Sequence, residues 1–392
     1  MIVEIEPSVI RGEVEAPPSK SYGIRYVLLS LLTEVRLENV PESDDVKVAL
    51  NVVRGIREGR EELHLGGSAT TLRMIIPILL TLGRKVKLDG DETLRRRPLN
   101  ALRYMRKAKF SSNSLPLVVE GQLEDETEIE GWESSQYISG LIYAYCLKGG
   151  GRIRIIPPIS SKGYIHMTAE VINMVGGKVR FEGNVVEVQC SQLGKFQGKV
   201  PGDYALASFY ANGAILTGGK IKITNLYPTP NYFGDHVIVN LLKESGARSE
   251  VVEGTWEVED TGVHNPLKVS VNDVPDLAPS LAVIMAISPN ESVIEDVQRL
   301  RTKESDRVET ITLTLRSFGV TTQVQDGKIR IIGGRLRRGE VDCPKDHRIA
   351  MMAGDLALNA GGKVLSAECV KKSNPKFWDS LAKVGALIKV TP

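Results

Sequence analysis

A phrase of two glycines followed by alternating apolar and polar residues recurs along this chain. It reads GGGRIRI at 149–155, GGKVRF at 176–181, GGKIKI at 218–223 and GGKVLS at 361–366. Each copy follows an apolar segment with helical spacing. A glycine just past a helix adopts the left-handed conformation at little cost, and the alternation after it is typical of a half-buried strand. The chain is therefore predicted to be an α/β protein that repeats one helix, Gly-Gly, strand unit.

The length indicates more than one domain. With 392 residues, the chain is too long for one ordinary hydrophobic core and suits two domains of about 200 residues each. Between the repeats, segments 179–181 and 185–188 alternate like the two strands of a hairpin. The best boundary between the halves is the sequence VPGD at 200–203, where a strand-like run stops just before a new helix.

The charge balance limits the class of partner. The chain has 50 basic and 48 acidic side chains and a net charge of +2, so a bulk polyanion is not an expected partner. The alternative is a non-enzymatic nucleic-acid-binding module built on the basic segments 95–97, 103–109 and 335–338. The near-zero net charge and the lack of an RNA-binding motif argue against it.

Cysteine usage and hydropathy favour a cytoplasmic protein. The four cysteines lie far apart, with no CxxC pair and no Cys/His cluster, which argues against a disulfide scaffold and a structural zinc site. The N-terminus lacks the features of a signal peptide. The longest apolar stretch, 74–82, contains Pro77 and is too short to span a bilayer.

Two helix starts in the first half combine hydroxyl or small residues with cations. At the first, Lys20 and Arg25 flank a helix that Ser19 or Ser21 can cap, and free amides with the helix dipole favour an anion there. The second, GGSATTLR at 66–73, lets a ligand approach backbone amides closely, although the P-loop spacing is absent. Taken alone, either is also explained as an ordinary capped helix.

Further segments of the first half place basic or hydroxyl side chains beside predicted helices. They are RRRP at 95–98, SSQ at 134–136 and SKGY at 161–164. Adjacent arginines point in different directions, so at most one or two of the three can serve one site. Taken alone, these segments are better explained as a solvated basic face and as helix caps.

The second half contains a closer pairing of like charges. Lys303 and Arg307 would lie one helical turn apart, which costs about 0.2–0.5 kcal/mol unless an anion binds between them. Asp276 precedes a very apolar helix, where it is either a plain cap or a base in a partly desolvated cleft. Further cations lie in DHR at 346–348 and KKSNP at 371–375.

Taken together and in this order, these segments resemble the 5-enolpyruvylshikimate-3-phosphate synthases of the enolpyruvyl transferase family. The resemblance extends from Pro17 to about Leu381. It implies two similar domains, each of three βαβαββ units arranged as an inside-out α/β barrel and joined by a hinge that the chain crosses twice. The hinge would lie near 18–19 and 200–202, so the domains would be 19–200 and 1–18 with 201–392.

The resemblance also implies the reaction and its binding residues. The enzyme would be a cytoplasmic monomer that joins shikimate 3-phosphate to phosphoenolpyruvate in a cleft between the domains and releases phosphate. Shikimate 3-phosphate would be bound by Lys20, Ser21, Arg25, Ser134, Ser135, Gln136, Ser161, Tyr164, Asp276 and Lys303. Phosphoenolpyruvate would be bound by Lys20, Ala69, Arg97, Gln136, Arg307, Arg348 and Lys372, with Lys372 ranked above Lys371 by motif alignment.

The implied chemistry needs a base for the attacking 5-hydroxyl and an acid for the methylene carbon of phosphoenolpyruvate. Asp276 would be the base, Glu304 the proton donor with Lys20, and Lys372 a second candidate for proton transfer. The implied mechanism uses no covalent enzyme bond, no metal and no cofactor. Preorganised cations would stabilise the phosphates and carboxylates.

Several positions depart from the family pattern. Ala69 stands where glycine is usual, at a position that faces phosphoenolpyruvate and the inhibitor glyphosate, so we expect reduced glyphosate sensitivity. Gly67 and Ile24 each replace a common asparagine. Arg299 replaces an asparagine that contacts shikimate 3-phosphate, so that contact is not carried over.

The nearest alternative is the related transferase that acts on UDP-N-acetylglucosamine. It shares the fold and the late arginine and lysine positions. Its first motif has asparagine where this chain has Ser21, and it commonly uses a mobile-loop cysteine, whereas this chain has no cysteine between Lys20 and Ser134.

Overall fold

The computed structural model describes residues 1–133, 135–226 and 234–392. By its contacts the chain divides into two compact units. The continuous unit is Lys20–Val200, and the split unit combines Met1–Ser19 with Pro201–Pro392.

The described residues form α-helices and β-strands in alternation, as the Gly-Gly phrase predicts. The strands are β1 (Ile2–Glu6), β2 (Arg11–Glu15), β3 (Val35–Leu37), β4 (Glu62–His64), β5 (Val86–Asp89), β6 (Ala108–Phe110), β7 (Leu117–Gly121), β8 (Glu126–Glu130), β9 (Gly150–Ile156), β10 (Lys178–Glu182), β11 (Val185–Gln189), β12 (Phe196–Gly198), β13 (Lys220–Thr224), β14 (Arg248–Val252), β15 (Thr255–Glu259), β16 (Lys268–Ser270), β17 (Glu291–Glu295), β18 (Thr321–Gln325), β19 (Lys328–Ile332), β20 (Gly339–Asp342), β21 (Gly362–Leu365) and β22 (Leu387–Thr391).

The helices fall between these strands. They are α1 (Lys20–Leu29), α2 (Asp44–Arg57), α3 (Ala69–Thr81), α4 (Glu92–Arg95), α5 (Ser135–Lys148), α6 (Lys162–Met174), α7 (Tyr204–Leu216), α8 (Ile238–Glu244), α9 (Ala278–Met285), α10 (Arg307–Ser317), α11 (His347–Ala360) and α12 (Phe377–Lys383). Short 3-10 helices cover Asn100–Tyr104, Asp235–Val237, Pro275–Leu277, Val297–Thr302 and Ala367–Lys372.

Among the described residues, each unit contains three sheets, and five of the six sheets share one strand pattern. A parallel pair is extended on one side by two antiparallel strands, as in β8-β9-β11-β10 of the continuous unit and β16-β17-β19-β18 of the split unit. The sheets β4-β5-β7-β6, β2-β13-β15-β14 and β20-β21-β1-β22 repeat it, and the sixth is the parallel pair β3-β12. Fold class α/β with repeated units is thus confirmed.

The Gly-Gly pairs lie where the sequence pattern places them. Each pair joins a helix to a strand: α5 to β9, α6 to β10, α7 to β13 and α11 to β21. The first glycine of each pair has a positive φ, between 69° at Gly218 and 99° at Gly149. The second glycine of the third pair permits a close approach, because a Cβ on Gly219 would lie 1.9 Å from the carbonyl oxygen of Ile10. The predicted hairpin is also present as β10 and β11, with Val179 opposite Val188.

Very apolar helices form the core of each unit. All residues of α7 and α9 are buried in the split unit, and a buried hydrogen bond from Asn212 Nδ2 to the Ser280 carbonyl, 3.0 Å, joins these helices. In the continuous unit, α3 packs closely on α5 at Gly140, where a Cβ would lie 2.5 Å from the carbonyl oxygen of Met74. No helix in the described part of the chain is both long and apolar enough to cross a membrane.

The cysteine spacing argued against a disulfide scaffold, but all four cysteines are joined in two disulfides. Cys146 is bonded to Cys190 in the continuous unit, and Cys343 is bonded to Cys369 in the split unit. The partners are 44 and 26 residues apart in sequence. Cysteine spacing did not reveal the bonds because the pairs meet only after helix and strand pack together.

The two chain segments at the unit boundary run side by side. Pro18 and Gly202 form an isolated antiparallel bridge, the amide of Ser19 donates to the carbonyl of Pro201 at 2.6 Å, and the amide of Asp203 donates to the carbonyl of Pro17 at 2.9 Å. All of these residues belong to the split unit. The continuous unit begins directly after Ser19 and ends directly before Pro201.

Candidate active site

Arg307 is the centre of a buried charge cluster in the split unit. Its side chain is fully buried at the first turn of α10, where Asp306 caps the helix by accepting from two backbone amides. The guanidinium donates to Asp346 (2.8 Å from Nε), Asp276 (2.9 Å from Nη1) and Glu304 (2.9 Å from Nη2). Burial lowers its pKa, but these carboxylates outweigh burial and raise it. The cluster therefore contains a permanently charged cation.

Asp276 lies in the 3-10 helix just before α9 and is contacted by several cations. Arg307 Nη1 is 2.9 Å away, and Lys303 Nζ and Arg348 Nη2 are each 3.7 Å away. Burial acts to raise the pKa of Asp276, but the charges of Lys303, Arg348 and Arg307 hold it well below its ordinary value. Asp276 is therefore ionised at neutral pH, the protonation state that a base requires.

Lys303 follows the 3-10 helix Val297–Thr302 and is mostly buried. Burial lowers its pKa to about 8, with Arg299 and Arg307 acting in the same direction and Asp276 opposing them. Arg299 itself donates to the carbonyl of Asn272 at 3.0 Å. The charge of Arg299 thus adds to the larger effect of burial in lowering the pKa of Lys303.

Two further cations reach the same cluster from the C-terminal segments. Arg348 is the second residue of α11, whose cap is Asp346, and it is buried. Lys372 ends the 3-10 helix Ala367–Lys372, and its Nζ is 3.9 Å from Glu304 Oε1. Lys371 is exposed. The structure thus brings Lys372, not Lys371, to the acidic residues that the sequence singles out.

In the continuous unit, the first two turns of α1 carry an ion pair and a buried arginine. Lys20 Nζ lies 2.8 Å from Asp45 of α2, and both side chains are largely buried. Arg25 is buried and donates to the hydroxyl of Thr168 at 2.8 Å and to the carbonyls of Ser21 at 3.0 Å and Tyr164 at 3.2 Å. Arg25 thereby fixes α1 to α6.

The glycine-rich turn and the start of α5 lie against each other. Ser68 caps α3 by accepting from the Thr71 amide, so that helix begins at Ala69. Gln136 of α5 donates to the hydroxyl of Thr70 at 2.7 Å and accepts from Arg73 at 3.1 Å. These contacts place the predicted binding residues Ala69 and Gln136 in one part of the continuous unit.

The three adjacent arginines separate by environment, as their differing directions predict. Arg95 and Arg96 are exposed and paired with Asp89 and Glu92. Arg97 is buried. The backbone carbonyl of the next residue, Pro98, accepts a hydrogen bond from Arg73 at 3.0 Å. Arg73 also donates to Gln136, so it links this turn to the start of α5.

The remaining predicted residues lie at two helix starts. Ser135 is the buried first residue of α5, while Ser134 lies outside the described residues. Ser161 precedes α6 in the left-handed conformation, with φ 54°, and its side chain does not cap the helix. Tyr164 lies in the first turn of α6, with the Arg25 guanidinium carbon 5.7 Å from the centre of its ring. The left-handed conformation of Ser161 is uncommon for a non-glycine residue and is often found at functional sites.

Three residues of these clusters were not identified by sequence reasoning. Asp346 precedes a predicted cation, and only its position as a helix cap could have revealed it. Arg73 stands at the end of the glycine-rich segment without a motif partner. Asp45 carries no signal, because its partner Lys20 is 25 residues away in sequence.

The carboxylates do not form a metal-binding group. Among the described residues, no set of three or more His, Cys, Asp or Glu side chains is arranged to hold a metal ion. In the split unit, the position on which Asp276, Glu304 and Asp346 converge is occupied by the guanidinium of Arg307.

The architecture defines the class of protein. Solved structures that cover the whole chain share it: EPSP synthase from Acinetobacter baumannii has a TM-score of 0.77 at 22% identity, with 100% of each chain covered. The enolpyruvyl transferase NikO from Streptomyces tendae has a TM-score of 0.76 at 16% identity, with 99% of this chain and 98% of that chain covered. The fold is that of the enolpyruvyl transferases.

Sequence similarity then identifies the family. The model of the EPSP synthase (3-phosphoshikimate 1-carboxyvinyltransferase) family matches residues 5–381. Relatives named 3-phosphoshikimate 1-carboxyvinyltransferase include those of Sulfurisphaera tokodaii, 50% identical over 99% of both chains, and Saccharolobus solfataricus, 46% identical over 100% of both. The chain belongs to the EPSP synthase family, which confirms the resemblance drawn from the motifs.

Proposed function

We propose that this enzyme transfers the enolpyruvyl group of phosphoenolpyruvate to the 5-hydroxyl of shikimate 3-phosphate and releases phosphate, a step of the shikimate pathway. Family membership and the names of full-length relatives support this reaction. The observation that carries the mechanism is the charge cluster around Arg307, in which two carboxylates have different surroundings. Asp276 is contacted by three cations, whereas Glu304 lies between Arg307 and Lys372.

In the first step, Asp276 accepts the proton of the 5-hydroxyl as its oxygen bonds to C2 of phosphoenolpyruvate. The low pKa of Asp276 makes it a weak base before substrates bind. Two anionic substrates add negative charge beside Lys303, Arg307 and Arg348, and this added charge raises the basicity of the carboxylate. At the same time, Glu304 protonates the methylene carbon and is left as a carboxylate beside the Lys372 ammonium group, which together with Lys20 is the alternative proton donor.

In the second step, the tetrahedral intermediate loses phosphate. A proton leaves the new methyl group for Glu304 as the bond between C2 and the phosphate oxygen breaks. The proton held by Asp276 ends on the departing phosphate, so protons and electrons balance. Fixed cations stabilise the departing dianion without having to reorganise.

The binding residues are assigned by unit. In the continuous unit, shikimate 3-phosphate contacts come from Lys20, Ser21, Arg25, Ser134, Ser135, Gln136, Ser161 and Tyr164, and phosphoenolpyruvate contacts come from Lys20, Ala69, Arg97 and Gln136. In the split unit, Asp276 and Lys303 contact shikimate 3-phosphate, and Arg307, Arg348 and Lys372 contact phosphoenolpyruvate. Burial of Arg97 and Arg348, and the contacts of Lys303 with Asp276 and of Lys372 with Glu304, support the cationic part of this assignment.

Arg25 and Arg307 have a narrower role in this proposal. Both side chains are buried and already donate to several protein acceptors. Arg307 therefore acts on phosphoenolpyruvate mainly through its charge, which balances the adjacent carboxylates. Arg25 orients the first turn of α1, which carries Lys20 and Ser21.

We further propose that the enzyme works in the cytoplasm as a monomer, with hinge segments near 18–19 and 200–202. Substrates with ionised phosphates do not cross bilayers unaided, so the enzyme must work in the compartment in which they are made, and we take this to be the cytoplasm. Disulfides are rare in reducing compartments except in intracellular proteins of hyperthermophiles, so the location is best tested together with the redox state of the cysteines. Light scattering on the purified enzyme tests the monomer.

The test of the reaction is phosphate release from phosphoenolpyruvate by the purified enzyme. Shikimate 3-phosphate and UDP-N-acetylglucosamine are compared as acceptors under the same conditions. Release only with shikimate 3-phosphate is expected. Release with UDP-N-acetylglucosamine alone would assign the chain to the related transferase reaction, and release with neither would contradict the proposal.

A further inference from the structure

The Cys343–Cys369 disulfide joins the two segments that carry the C-terminal cations. Cys343 stands between β20 and α11, five residues before Arg348. Cys369 lies within the 3-10 helix Ala367–Lys372, three residues before Lys372. The bond therefore lies between a helix start and a helix end that both deliver a positive side chain to the carboxylates around Arg307.

The segment carrying Lys372 has little intrinsic stability. It is a single 3-10 helix of six residues, a geometry with poor hydrogen bonds that rarely persists in long runs. Ser366, in the left-handed conformation with φ 50°, precedes it. A long lysine side chain on such a segment needs external fixing to hold its ammonium group in one place.

Two other contacts brace the same junction. The amide of Cys343 donates to the carbonyl of Leu365 at 3.0 Å, and Ser373 Oγ hydrogen bonds to His347 Nδ1. Cys343 Sγ also lies 3.4 Å from the carbonyl oxygen of Asp346, the residue that caps α11 and binds Arg307. The disulfide is the covalent member of this set.

We propose that Cys343 and Cys369 are positioning residues for phosphoenolpyruvate binding. Their bond holds Lys372 near Glu304 and keeps the 3-10 helix against the start of α11, where Arg348 lies. Without the bond, the 3-10 helix moves relative to α11 and the two cations no longer meet one anion together. This inference rests on the proposed function, because it deepens the role of Arg348 and Lys372 there.

The other disulfide provides a matched control. Cys146–Cys190 joins the last turn of α5 to the end of β11, and Cys146 lies ten residues beyond Gln136. Ten helical residues span about 15 Å, so this bond lies well away from the predicted binding residues of α5. It closes a longer stretch of chain, 44 residues against 26, and so contributes at least as much to stability by the chain-entropy argument.

The experiment compares wild type, Cys343→Ala/Cys369→Ala and Cys146→Ala/Cys190→Ala, all purified without reductant. Phosphoenolpyruvate affinity is measured by calorimetry without shikimate 3-phosphate, so that no turnover occurs, and KM and kcat are measured by phosphate release with both substrates. Loss of the Cys343–Cys369 bond is expected to raise KM for phosphoenolpyruvate about tenfold. This is the smallest change in affinity expected when a hydrogen bond to a charged group is lost. Loss of Cys146–Cys190 lowers the Tm and leaves this KM unchanged.

A lysine background separates positioning from general loosening. Lys372→Ala is combined with Cys343→Ala/Cys369→Ala. Most of the KM increase is expected to be absent in this combination, because contacting residues are non-additive. A KM increase of the same size with and without Lys372, or an equal increase in both cysteine variants, would overturn the inference.

Chemical reduction covers the case in which the variant fails to fold. In folded Cys146→Ala/Cys190→Ala, the remaining disulfide accepts two electrons and two protons from dithiothreitol, which becomes its cyclic disulfide. Cys369 is partly exposed, which gives the reductant access. Unchanged phosphoenolpyruvate affinity after complete reduction would contradict the proposal that the Cys343–Cys369 bond positions Lys372 and Arg348. A wild-type enzyme that binds both substrates but releases no phosphate contradicts the proposed function instead.

Discussion

Arg307 shows how one residue organises the chemistry of its neighbours. Its guanidinium is bound by three carboxylates and has no exposed surface. A buried cation in this arrangement keeps the carboxylates charged and fixed in orientation, since a charge left without its partner in a low-dielectric interior is costly. The functional roles of Asp276 and Glu304 are therefore properties of the cluster.

At the residue scale, the first prediction concerns Asp276 as the base. Asp276→Asn removes the proton acceptor and keeps the shape of the side chain, so kcat is expected to fall about 10²- to 10⁴-fold. Steady-state phosphate release measures the effect. Asp273→Asn, at an exposed position in the same segment, is the matched control and should retain activity. Equal activity in both variants would exclude Asp276 as the base.

The second prediction concerns the charge of Lys303. Its pKa is lowered to about 8, so the free enzyme loses this positive charge as the pH rises through that value. Affinity for an anionic substrate then falls, and kcat/KM for shikimate 3-phosphate should decline above about pH 8. Lys303→Arg keeps its charge and should move this alkaline limb to higher pH. A limb that stays in place in Lys303→Arg would assign it to another group.

The third prediction concerns Ala69, the first residue of α3. The methyl group is expected to crowd glyphosate, which is longer than phosphoenolpyruvate, and to reduce its inhibition of the wild-type enzyme. Ala69→Gly should therefore lower the inhibition constant of glyphosate more than it lowers KM for phosphoenolpyruvate. Competitive inhibition assays on both proteins measure the ratio. Potent inhibition of the wild type would contradict the prediction.

At the element scale, the repeated units explain where the chemistry lies. Asn225, Asp296 and Ser366 each follow the second strand of a parallel pair directly, and all three are left-handed. In two of these copies, a 3-10 helix follows, and it leads to Lys303 in one and Lys372 in the other. Acidic residues also recur at equivalent places, at or just before the start of a helix. Asp203 caps α7, Asp276 precedes α9 and Asp346 caps α11.

The fourth prediction tests the packing of α3 on α5. Gly140→Ala would place a Cβ 2.5 Å from a backbone oxygen of α3, so the helices must separate, at a cost of about 1–3 kcal/mol. The hydrogen bond between Gln136 and Thr70 joins the same two helices, so KM for phosphoenolpyruvate should rise as well. Gly213→Ala in α7 is the control, since its nearest neighbour is the flexible end of Leu358 at 3.1 Å. Thermal unfolding and substrate kinetics on both variants provide the comparison, and equal behaviour would argue against the prediction.

At the scale of the whole molecule, the split unit depends on the two ends of the chain. β1 lies between β21 and β22 in its sheet, and β2 pairs with β13 in another. The continuous unit takes all of its described strands from one uninterrupted segment. All described strands of the continuous unit thus come from one stretch of chain, whereas the split unit also needs β1 and β2 from the N-terminal segment.

The fifth prediction follows from this difference. A fragment of residues 20–200 is expected to unfold cooperatively, whereas a fragment of residues 201–392 should not, because one of its sheets lacks an internal strand. Adding residues 1–19 as a synthetic peptide should restore structure to the second fragment. Circular dichroism melts measure both effects. Cooperative unfolding of 201–392 without the peptide would contradict the prediction.

The sequence alone determined the α/β class, the repeated helix, Gly-Gly, strand unit and the family. These features depend on local conformational preference and on short motifs, which act within a few residues of chain. The glycine pairs end four helices because only glycine takes the left-handed conformation there without strain. The ordered cationic motifs identified the residue types that the reaction needs.

Only the tertiary structure decided which of these residues share an environment. It placed Lys372, which the motif alignment ranks first, near Glu304, and it separated buried Arg97 from exposed Arg95 and Arg96. It also paired Lys20 with Asp45 and joined the four cysteines in two bonds that the sequence spacing argued against. Burial and pairing between distant segments are set when the helices and sheets pack, and the charge states of Asp276 and Lys303 depend on both.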